Sequence, residues 1–241
     1  MSRATLTAAA LLVPCLTLAA CSGLFRSNAK PEQIYYLRGP SAGAATASAG
    51  SDSTAGAPAT ASPAPAMPVS LRVGRVEAGP GLDSPHIMLL QADHRMNFYS
   101  GSRWPAPVPF VVEALAVRTL RVSGEWASVE EAGSPFPSDY LLQLHVRRFE
   151  ADYTESAGAP VVHVDIDCTL GRHQGREVLA TFSVSGTAAA TANRQGEVVA
   201  AFEQATGTAL NALAQRAAQA TRLDLQHAAQ PEPPPAHAGT P

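Results

Sequence analysis

Val161-Val162-His163-Val164-Asp165-Ile166-Asp167-Cys168-Thr169-Leu170 has the most regular pattern in the chain. Apolar and polar residues alternate, so in an extended chain one face would be apolar and the other polar. Successive side chains of a β-strand point to opposite faces of a sheet, so this pattern predicts a strand with one buried face. A similar alternation from Val178 to Val184 follows a turn at residues 173–176. The two segments therefore predict a long antiparallel hairpin.

Shorter strands are predicted on the N-terminal side of this hairpin. They include an edge strand at residues 34–37 and a strand at residues 71–76 with a bulge at Gly74. The others are residues 86–91 and 95–99, joined by a turn at 92–94, then 126–130 and 139–153.

Two amphipathic helices complete the pattern. The first is predicted over residues 110–122 and ends at Gly124, with Val111, Leu115 and either Thr119 or Val122 on its apolar face. The second runs from Gln195 to Leu223 and is rich in alanine, so its packed face is slim and could approach a sheet closely. We therefore predict an α+β fold, in which two helices pack on one face of a largely antiparallel sheet.

The N-terminus has the pattern of a signal for export and anchoring. Arg3 precedes an apolar run, and the segment closes with Leu18-Ala19-Ala20-Cys21. This resembles the bacterial lipobox, in which the cysteine is lipidated and becomes the new N-terminus after cleavage. An ordinary signal peptide with an incidental cysteine is the alternative. Because Ser22, not aspartate, follows the cysteine, the resemblance implies sorting to the outer membrane.

The chain divides into a few segments of different composition. We predict a signal peptide at 1–20, a tether at 21–33 and one domain at 34–223. Within the domain, residues 41–68 are almost entirely Ala, Gly, Ser, Thr and Pro, which predicts a disordered insertion. Residues 224–241 are interpreted as a disordered tail rich in Pro and Ala.

Composition argues against several functional classes. The net charge is −3 and no basic run occurs, so the sequence gives no sign of nucleic-acid binding. No second apolar stretch is long enough to cross a bilayer. Of the three cysteines, Cys15 lies in the signal, Cys21 is the anchor and Cys168 is expected to behave as a small buried apolar residue. A reactive thiol at Cys168 is the alternative.

Polar residues on the strand at 161–170 are candidates for chemistry. His163, Asp165 and Asp167 share one face and could hold a metal together with His145. Alternate residues of a straight strand diverge, however, so the polar face of a half-exposed sheet is the simpler interpretation. No Gly-x-Ser-x-Gly motif or dinucleotide fingerprint occurs, and we predict neither catalysis nor a cofactor. A periplasmic enzyme would need a pocket that gathers His145, His163 and an acid.

An aromatic and basic cluster lies just before the first helix. Tyr99, Arg103 and Trp104 flank a short Ser-Gly-Ser segment and precede a proline-rich turn, a composition suited to a partner-binding patch. For Trp104, the favoured interpretation is that it staples the first helix to the sheet.

The order of these features resembles that of a known family. A lipobox is followed by Tyr35-Tyr36-Leu37, Leu71-Arg72-Val73, Leu82-Asp83, a strand that ends in Tyr99, and Trp104 with its prolines. Together they resemble the ABC-type transport auxiliary lipoproteins, the PqiC-like group, over residues 33–223.

The resemblance implies an accessory role without catalysis. Such proteins are similar to subunits of MCE-type systems, which carry phospholipids between the inner and outer membranes, and they sit on the periplasmic face of the outer membrane. An MCE-domain protein is then the expected partner, and homo-oligomers are left open. The main rival is a lipoprotein that helps to assemble another outer-membrane export machine. The insertion at 41–68 departs from the compact form expected of the family.

Overall fold

The structure is a computed structural model that describes residues 32–39, 66–154 and 158–230. Its strands are β1 (Gln33–Ile34), β2 (Met67–Val73), β3 (Glu77–Ala78), β4 (His86–Leu90), β5 (Met96–Arg103), β6 (Trp126–Glu130), β7 (Tyr140–Asp152), β8 (Val161–Arg172) and β9 (Val178–Ala189). Its helices are α1 (Val108–Ser123) and α2 (Gln195–Ala228). All of these elements lie in one compact unit that begins at Gln33.

The nine described strands form one open sheet around β7. One edge of β7 pairs with β8 along its whole length, and β8 pairs in turn with β9; both ladders are antiparallel. The other edge of β7 pairs in parallel with β2, β3 and β4 in succession. Beyond these, β6 flanks β2, while β5 and then β1 flank β4. The predicted α+β class with a mostly antiparallel sheet is confirmed.

The strands β2, β3 and β4 behave as one interrupted strand beside β7. Val73 is opposite Leu142, whereas Glu77 is opposite His145, so the β2–β3 side holds one residue more than β7 across this step. Gly74 lies in that step and its N–H donates to the carbonyl of Leu142. The irregularity predicted at Gly74 is therefore present, although β2 itself ends one residue earlier.

Alternation along the strands separates a helix-covered face from an open one. On β8, Val162, Val164, Ile166, Cys168 and Leu170 are all at most 1% exposed, as the sequence pattern predicts. On β7, Leu142, Leu144 and Val146 are buried, whereas Gln143, His145 and Arg147 are exposed. The side chains of the buried set meet the two helices, so the core lies between the sheet and the helix layer.

Helix α1 begins near a proline and ends at a glycine, two residues that commonly mark helix ends. Pro109 lies in its first turn, where a missing N–H costs no helical hydrogen bond. Gly124 ends the helix with φ of 66°, a left-handed conformation that glycine adopts without strain. Val111, Leu115 and Thr119 are buried on one face and Val122 is exposed, which settles the alternative left open by the sequence.

Helix α2 touches the sheet at a glycine. A Cβ atom built on Gly186 of β9 would lie 1.8 Å from the carbonyl oxygen of Ala205 and 3.1 Å from the amide nitrogen of Ala209. The helix backbone therefore rests directly on the strand. This contact confirms that the slim alanine face of α2 permits a close approach.

The C-terminal part of α2 corrects one prediction. The helix continues to Ala228, so residues 224–228 are not part of a disordered tail. Asp224 is buried and accepts hydrogen bonds from the Tyr140 hydroxyl at 2.8 Å and from Arg172 Nη2 at 2.7 Å and Nε at 3.0 Å. A long-range ion pair, which sequence periodicity does not reveal, stabilises these last turns.

The N-terminal boundaries also differ from the predicted ones. Met67 is buried and begins β2, so residues 67 and 68 are not part of the insertion predicted at 41–68, and the folded body starts two residues earlier than Val69. The predicted edge strand is present, but it covers Gln33–Ile34 rather than residues 34–37. Residues 1–31, which hold the signal and Cys21, lie outside the described part of the chain, as do 40–65 and 231–241.

We predict that Gly186→Ala strongly destabilises the protein. The new methyl group would collide with the backbone of Ala205, so β9 or α2 has to move, and we expect the free energy of unfolding to fall by about 3 kcal/mol or more. Urea unfolding followed by far-ultraviolet circular dichroism measures this change.

Gly207→Ala is the matched control within α2. No atom lies within 4 Å of a Cβ built there, so helix propensity alone should raise stability by about 1 kcal/mol. Equal urea midpoints for Gly186→Ala and the wild type would show that α2 does not rest on Gly186.

We also predict an acid-dependent contribution from Asp224. Burial acts to raise the pKa of this carboxyl, but hydrogen bonds from Arg172 and Tyr140 outweigh it and hold the pKa below its usual value. A lowered pKa in the folded state stabilises the protein above about pH 4, and this contribution disappears as the pH falls through the folded pKa.

Asp224→Asn should therefore lower the free energy of unfolding by about 1–2 kcal/mol at pH 7. The difference from the wild type should shrink below about pH 4, as measured by urea titrations at several pH values. Tyr140→Phe keeps the ion pair and should keep the acid-dependent loss. A difference independent of pH would contradict this assignment.

Candidate functional site

A groove of about 560 Å³ lies between α1 and α2. Residues 37–39, which follow β1, line one side of it. Its apolar lining comes from Leu37, Leu115 and Leu210, and its polar lining includes Arg38, Arg118, Glu203 and Thr206. The groove thus combines the N-terminal segment with both helices.

Charge and close packing fix the N-terminal segment at this groove. Arg38 Nε lies 3.5 Å from Glu203 Oε1 of α2. A Cβ built on Gly39 would lie 3.0 Å from the Arg118 side chain, so a residue without a side chain suits this contact. Thr206, which is 2% exposed, has no hydrogen-bond partner for its hydroxyl among the described residues. The groove therefore has an apolar lining, a rim with charges of both signs and one buried hydroxyl.

The open face of the sheet carries a cluster of ion pairs around Arg148. Its guanidinium lies 2.6 Å from Glu150 Oε1, 3.2 Å from Asp152 Oδ2 and 3.9 Å from Asp165 Oδ2. Burial acts to raise the pKa of Asp152, but hydrogen bonds from Thr154 and the charges of His163 and Arg148 bring it below the usual value. Asp152 is therefore held in its charged form by its neighbours.

The histidines and acids considered for chemistry are not brought together. His145 lies opposite Asp167, whereas His163 lies opposite Glu150. These two positions of β8 are four residue steps apart, or about 13 Å along the strand. Asp167 pairs with Arg147 at 3.0 Å and accepts a hydrogen bond from Ser183 at 2.6 Å. No group of three or more possible metal ligands occurs among the described residues.

Cys168 is a buried residue of the core. It is 1% exposed, and burial raises the pKa of its thiol to about 12, with the nearby Asp167 charge acting in the same direction. A thiol with so high a pKa carries almost no thiolate at neutral pH, so the apolar interpretation is confirmed over the reactive one.

The cluster of Tyr99, Arg103 and Trp104 does not form one exposed patch. Trp104 is 0% exposed, and its ring lies 5.9 Å from that of Phe149 and 5.2 Å from that of Phe202. It therefore joins the start of α1 to β7 and α2, and cannot offer its ring to a partner. Tyr99 is half-buried, and its hydroxyl lies 2.8 Å from that of Tyr153. The stapling interpretation of Trp104 agrees with these contacts.

Exposed apolar residues on the β4–β5 hairpin were missed by sequence reasoning. Met96 and Phe98 of β5 are 50% and 48% exposed, and the ring of Phe98 lies 4.5 Å from that of His86. Met96 and Phe98 are two residues apart on β5, a strand that the sequence did predict, so they share one face of the sheet. Periodicity shows that they share a face, but it does not show that the two helices cover the opposite face and leave this one exposed.

Among the described helices, neither is long and apolar enough to cross a membrane. The proposed anchor, Cys21, lies outside the described residues, so membrane attachment depends on the sequence signal discussed above.

The protein is thus an α+β domain in which ion pairs cover much of the open sheet face. Comparison with family models identifies its class: residues 53–215 match the ABC-type transport auxiliary lipoprotein component. The match covers more than half of the chain, and the protein belongs to this family. Membership indicates a membrane-anchored lipoprotein of the periplasm that acts with other components of a transporter.

Comparison with solved structures gives one protein of similar fold and one weaker likeness. A Xanthomonas campestris protein is 27% identical, with a TM-score of 0.63, over 67% of this chain and 90% of its own. The PelC dodecamer from Paraburkholderia phytofirmans is 19% identical, with a TM-score of 0.37, over 61% of this chain and 91% of its own. No functionally curated protein matches the chain in sequence comparison.

We predict that Trp104 contributes to stability and not to partner contact. Trp104→Ala should lower the free energy of unfolding by about 3–5 kcal/mol, because it empties the centre of the aromatic cluster. Trp104→Phe should cost less, since the indole N–H has no hydrogen-bond partner among the described residues.

Urea unfolding and partner recovery, measured on the same variants, separate the two roles. A folded Trp104→Phe protein should retain its partners. Loss of partner recovery by Trp104→Phe without loss of stability would show that the ring contacts a partner after all.

Proposed function

We propose that this chain is a non-catalytic accessory subunit of an MCE-type system that transports phospholipids between the two membranes. In this proposal the protein is anchored through Cys21 to the periplasmic face of the outer membrane and supports membrane integrity. The observation that carries the proposal is the match of residues 53–215 to the ABC-type transport auxiliary lipoproteins. The partner is an MCE-domain protein, because that is what the sequence resemblance implies.

The position of β1 supports an adaptor that works close to the membrane. Gln33 and Ile34 pair with Ser102 and Arg103 of β5, so the domain begins at the sheet edge and not after the 41–68 insertion. Only residues 22–32 then separate the lipid from the folded domain, with a reach of about 40 Å when extended. Such a short tether raises the effective concentration of the domain near a partner at the same membrane.

The chemistry of the open sheet face favours binding over catalysis. Its acids are engaged by arginines: Asp167 by Arg147, and Glu150 and Asp152 by Arg148. His145 and His163 are too far apart to share a substrate atom. Because these charged groups are already paired with neighbouring side chains, the surface keeps one conformation. A fixed surface suits a subunit that recognises another protein.

A lipoprotein that helps to assemble another outer-membrane export machine is the second candidate. The family match supports an auxiliary role in transport, and this alternative differs only in the partner. The identity of the captured partner therefore distinguishes the two candidates.

The test is an affinity purification from crosslinked membranes with the full-length lipoprotein as bait. We expect an MCE-domain protein among the captured partners. Cys21→Ala is the control that removes the lipid, and it should reduce recovery at least tenfold if tethering concentrates the domain at the membrane.

Loss of the gene, or Cys21→Ala, should also lower detergent resistance and disturb the lipid balance of the outer membrane. An unchanged membrane in both strains would contradict a role in lipid transport. Capture of an export component instead of an MCE-domain protein would favour the second candidate.

A further inference from the structure

The groove between α1 and α2 is lined by one face of each helix. On α2 the lining residues include Glu203, Thr206, Gly207 and Leu210, which repeat at a spacing of three or four residues. Leu115 lines the groove from α1. The groove volume of about 560 Å³ falls within the range of about 300–1,000 Å³ that is typical of small-molecule sites.

Arg118 brings an uncompensated positive charge to this groove. Its guanidinium has neither a hydrogen-bond acceptor nor an ion-pair partner among the described residues. The other two charged residues of the lining, Arg38 and Glu203, lie 3.5 Å apart and offset each other. Two arginines and one glutamate leave the lining with one positive charge, which a single anionic group would balance.

Thr206 supplies a second polar group without a partner. It is 2% exposed, and its hydroxyl has no hydrogen-bond partner in the part of the chain that the structure describes. The three other threonines of the described helices, Thr119, Thr208 and Thr221, each donate to the carbonyl four residues earlier. A buried hydroxyl without a partner is unfavourable, so a polar ligand atom that reaches Thr206 would supply a missing hydrogen bond.

The remaining lining offers a surface for an apolar chain. Leu37, Leu115 and Leu210 contribute it, and Leu115 and Leu210 are only 8% and 2% exposed. A Cβ atom built on Gly207 would have no other atom within 4 Å, so space is left open beside the α2 backbone. An apolar chain placed against these leucines would be removed from water, which favours binding.

We propose that this groove binds an anionic amphiphile with a single acyl chain. The anionic head pairs with Arg118 and accepts a hydrogen bond from Thr206, while the chain lies against Leu37, Leu115 and Leu210. The carboxylate of a fatty acid and the phosphate of a single-chain lipid share this chemistry. The inference does not depend on the proposed transport partner, because its test needs only this chain.

Isothermal titration calorimetry with residues 22–241 tests the proposal. This chain contains the whole compact unit that begins at Gln33, and it omits the proposed lipid because detergent would compete for the groove. Decanoate and decyl phosphate are the probes, and we expect at least one to bind with a dissociation constant in the micromolar range. Tighter binding of one of them identifies the head group as carboxylate or phosphate.

Two further compounds separate the contributions of head and chain. Acetate has the carboxylate without the chain, and decyltrimethylammonium has the chain with the opposite charge. Each should bind at least tenfold more weakly than the better of the two anionic probes, since the site requires both an anionic head and an apolar chain.

Gly207→Leu is the variant that blocks the groove. Its side chain would occupy the open space beside α2, and leucine favours a helix more than glycine does. The variant should therefore be at least as stable as the wild type, while its affinity for the better probe falls at least tenfold. Gly196→Leu is the matched control, because a Cβ there also meets no atom within 4 Å but Gly196 does not line the groove. Its affinity should be unchanged.

Arg118→Gln removes the positive charge and should also weaken binding at least tenfold, whereas Arg118→Lys should retain part of the affinity. Circular dichroism and urea unfolding verify that each variant is folded. Failure of both anionic probes to bind, equal binding of decyltrimethylammonium, or wild-type affinity in Gly207→Leu would each overturn the proposed site.

Discussion

The contact between Gly186 and the backbone of Ala205 sets the spacing of the two layers. Because no side chain separates β9 from α2 there, the helix lies against the sheet at the closest distance that backbone atoms allow. The alanines of α2 then fill the remaining narrow space with small groups, and larger residues such as Phe202 and Leu213 fill the space farther along. A helix with few bulky side chains still packs well here, because the backbone of α2 itself contacts β9.

Two further contacts hold α2 along its length. Near its N-terminal half, Phe202 packs against Trp104 and Phe149, which ties the helix to β7 and to the entrance of α1. Near its C-terminus, Asp224 accepts hydrogen bonds from Arg172 of β8 and Tyr140 of β7. The first contact is apolar and independent of pH, whereas the second requires a charged carboxylate. The helix is thus attached at both ends by interactions of different kinds.

Sequence reasoning predicted the features that depend on local periodicity. The alternation of Val162 to Leu170 and the helical repeat of α2 are visible in one segment of chain, so the layers and both helices could be predicted. The parallel pairing of β2, β3 and β4 with β7 could not, because it joins residues about sixty or more positions apart. The helical turns at 224–228 were missed for the same reason, since Arg172 stabilises them from another strand. The structural role favoured for Trp104 agrees with its contacts, but the sequence could not name its partners Phe149 and Phe202, which are distant along the chain.

The short strand β1 also determines how the domain would respond to mechanical load. If the chain is anchored through Cys21 as proposed, a pull on the anchor reaches β1 first. Two residue pairs join β1 to β5, and the Arg38–Glu203 ion pair is the next attachment along the chain. The large core behind it is held by the long β7–β8 and β8–β9 ladders. Residues 33–66 precede Met67 of β2, and a chain of this length reaches about 100 Å when it is fully extended. Release of β1 and of the residues that follow it would therefore allow a much longer connection to the proposed anchor while the core stays folded. The same protein would then span two distances from its membrane, a short one at rest and a long one under tension.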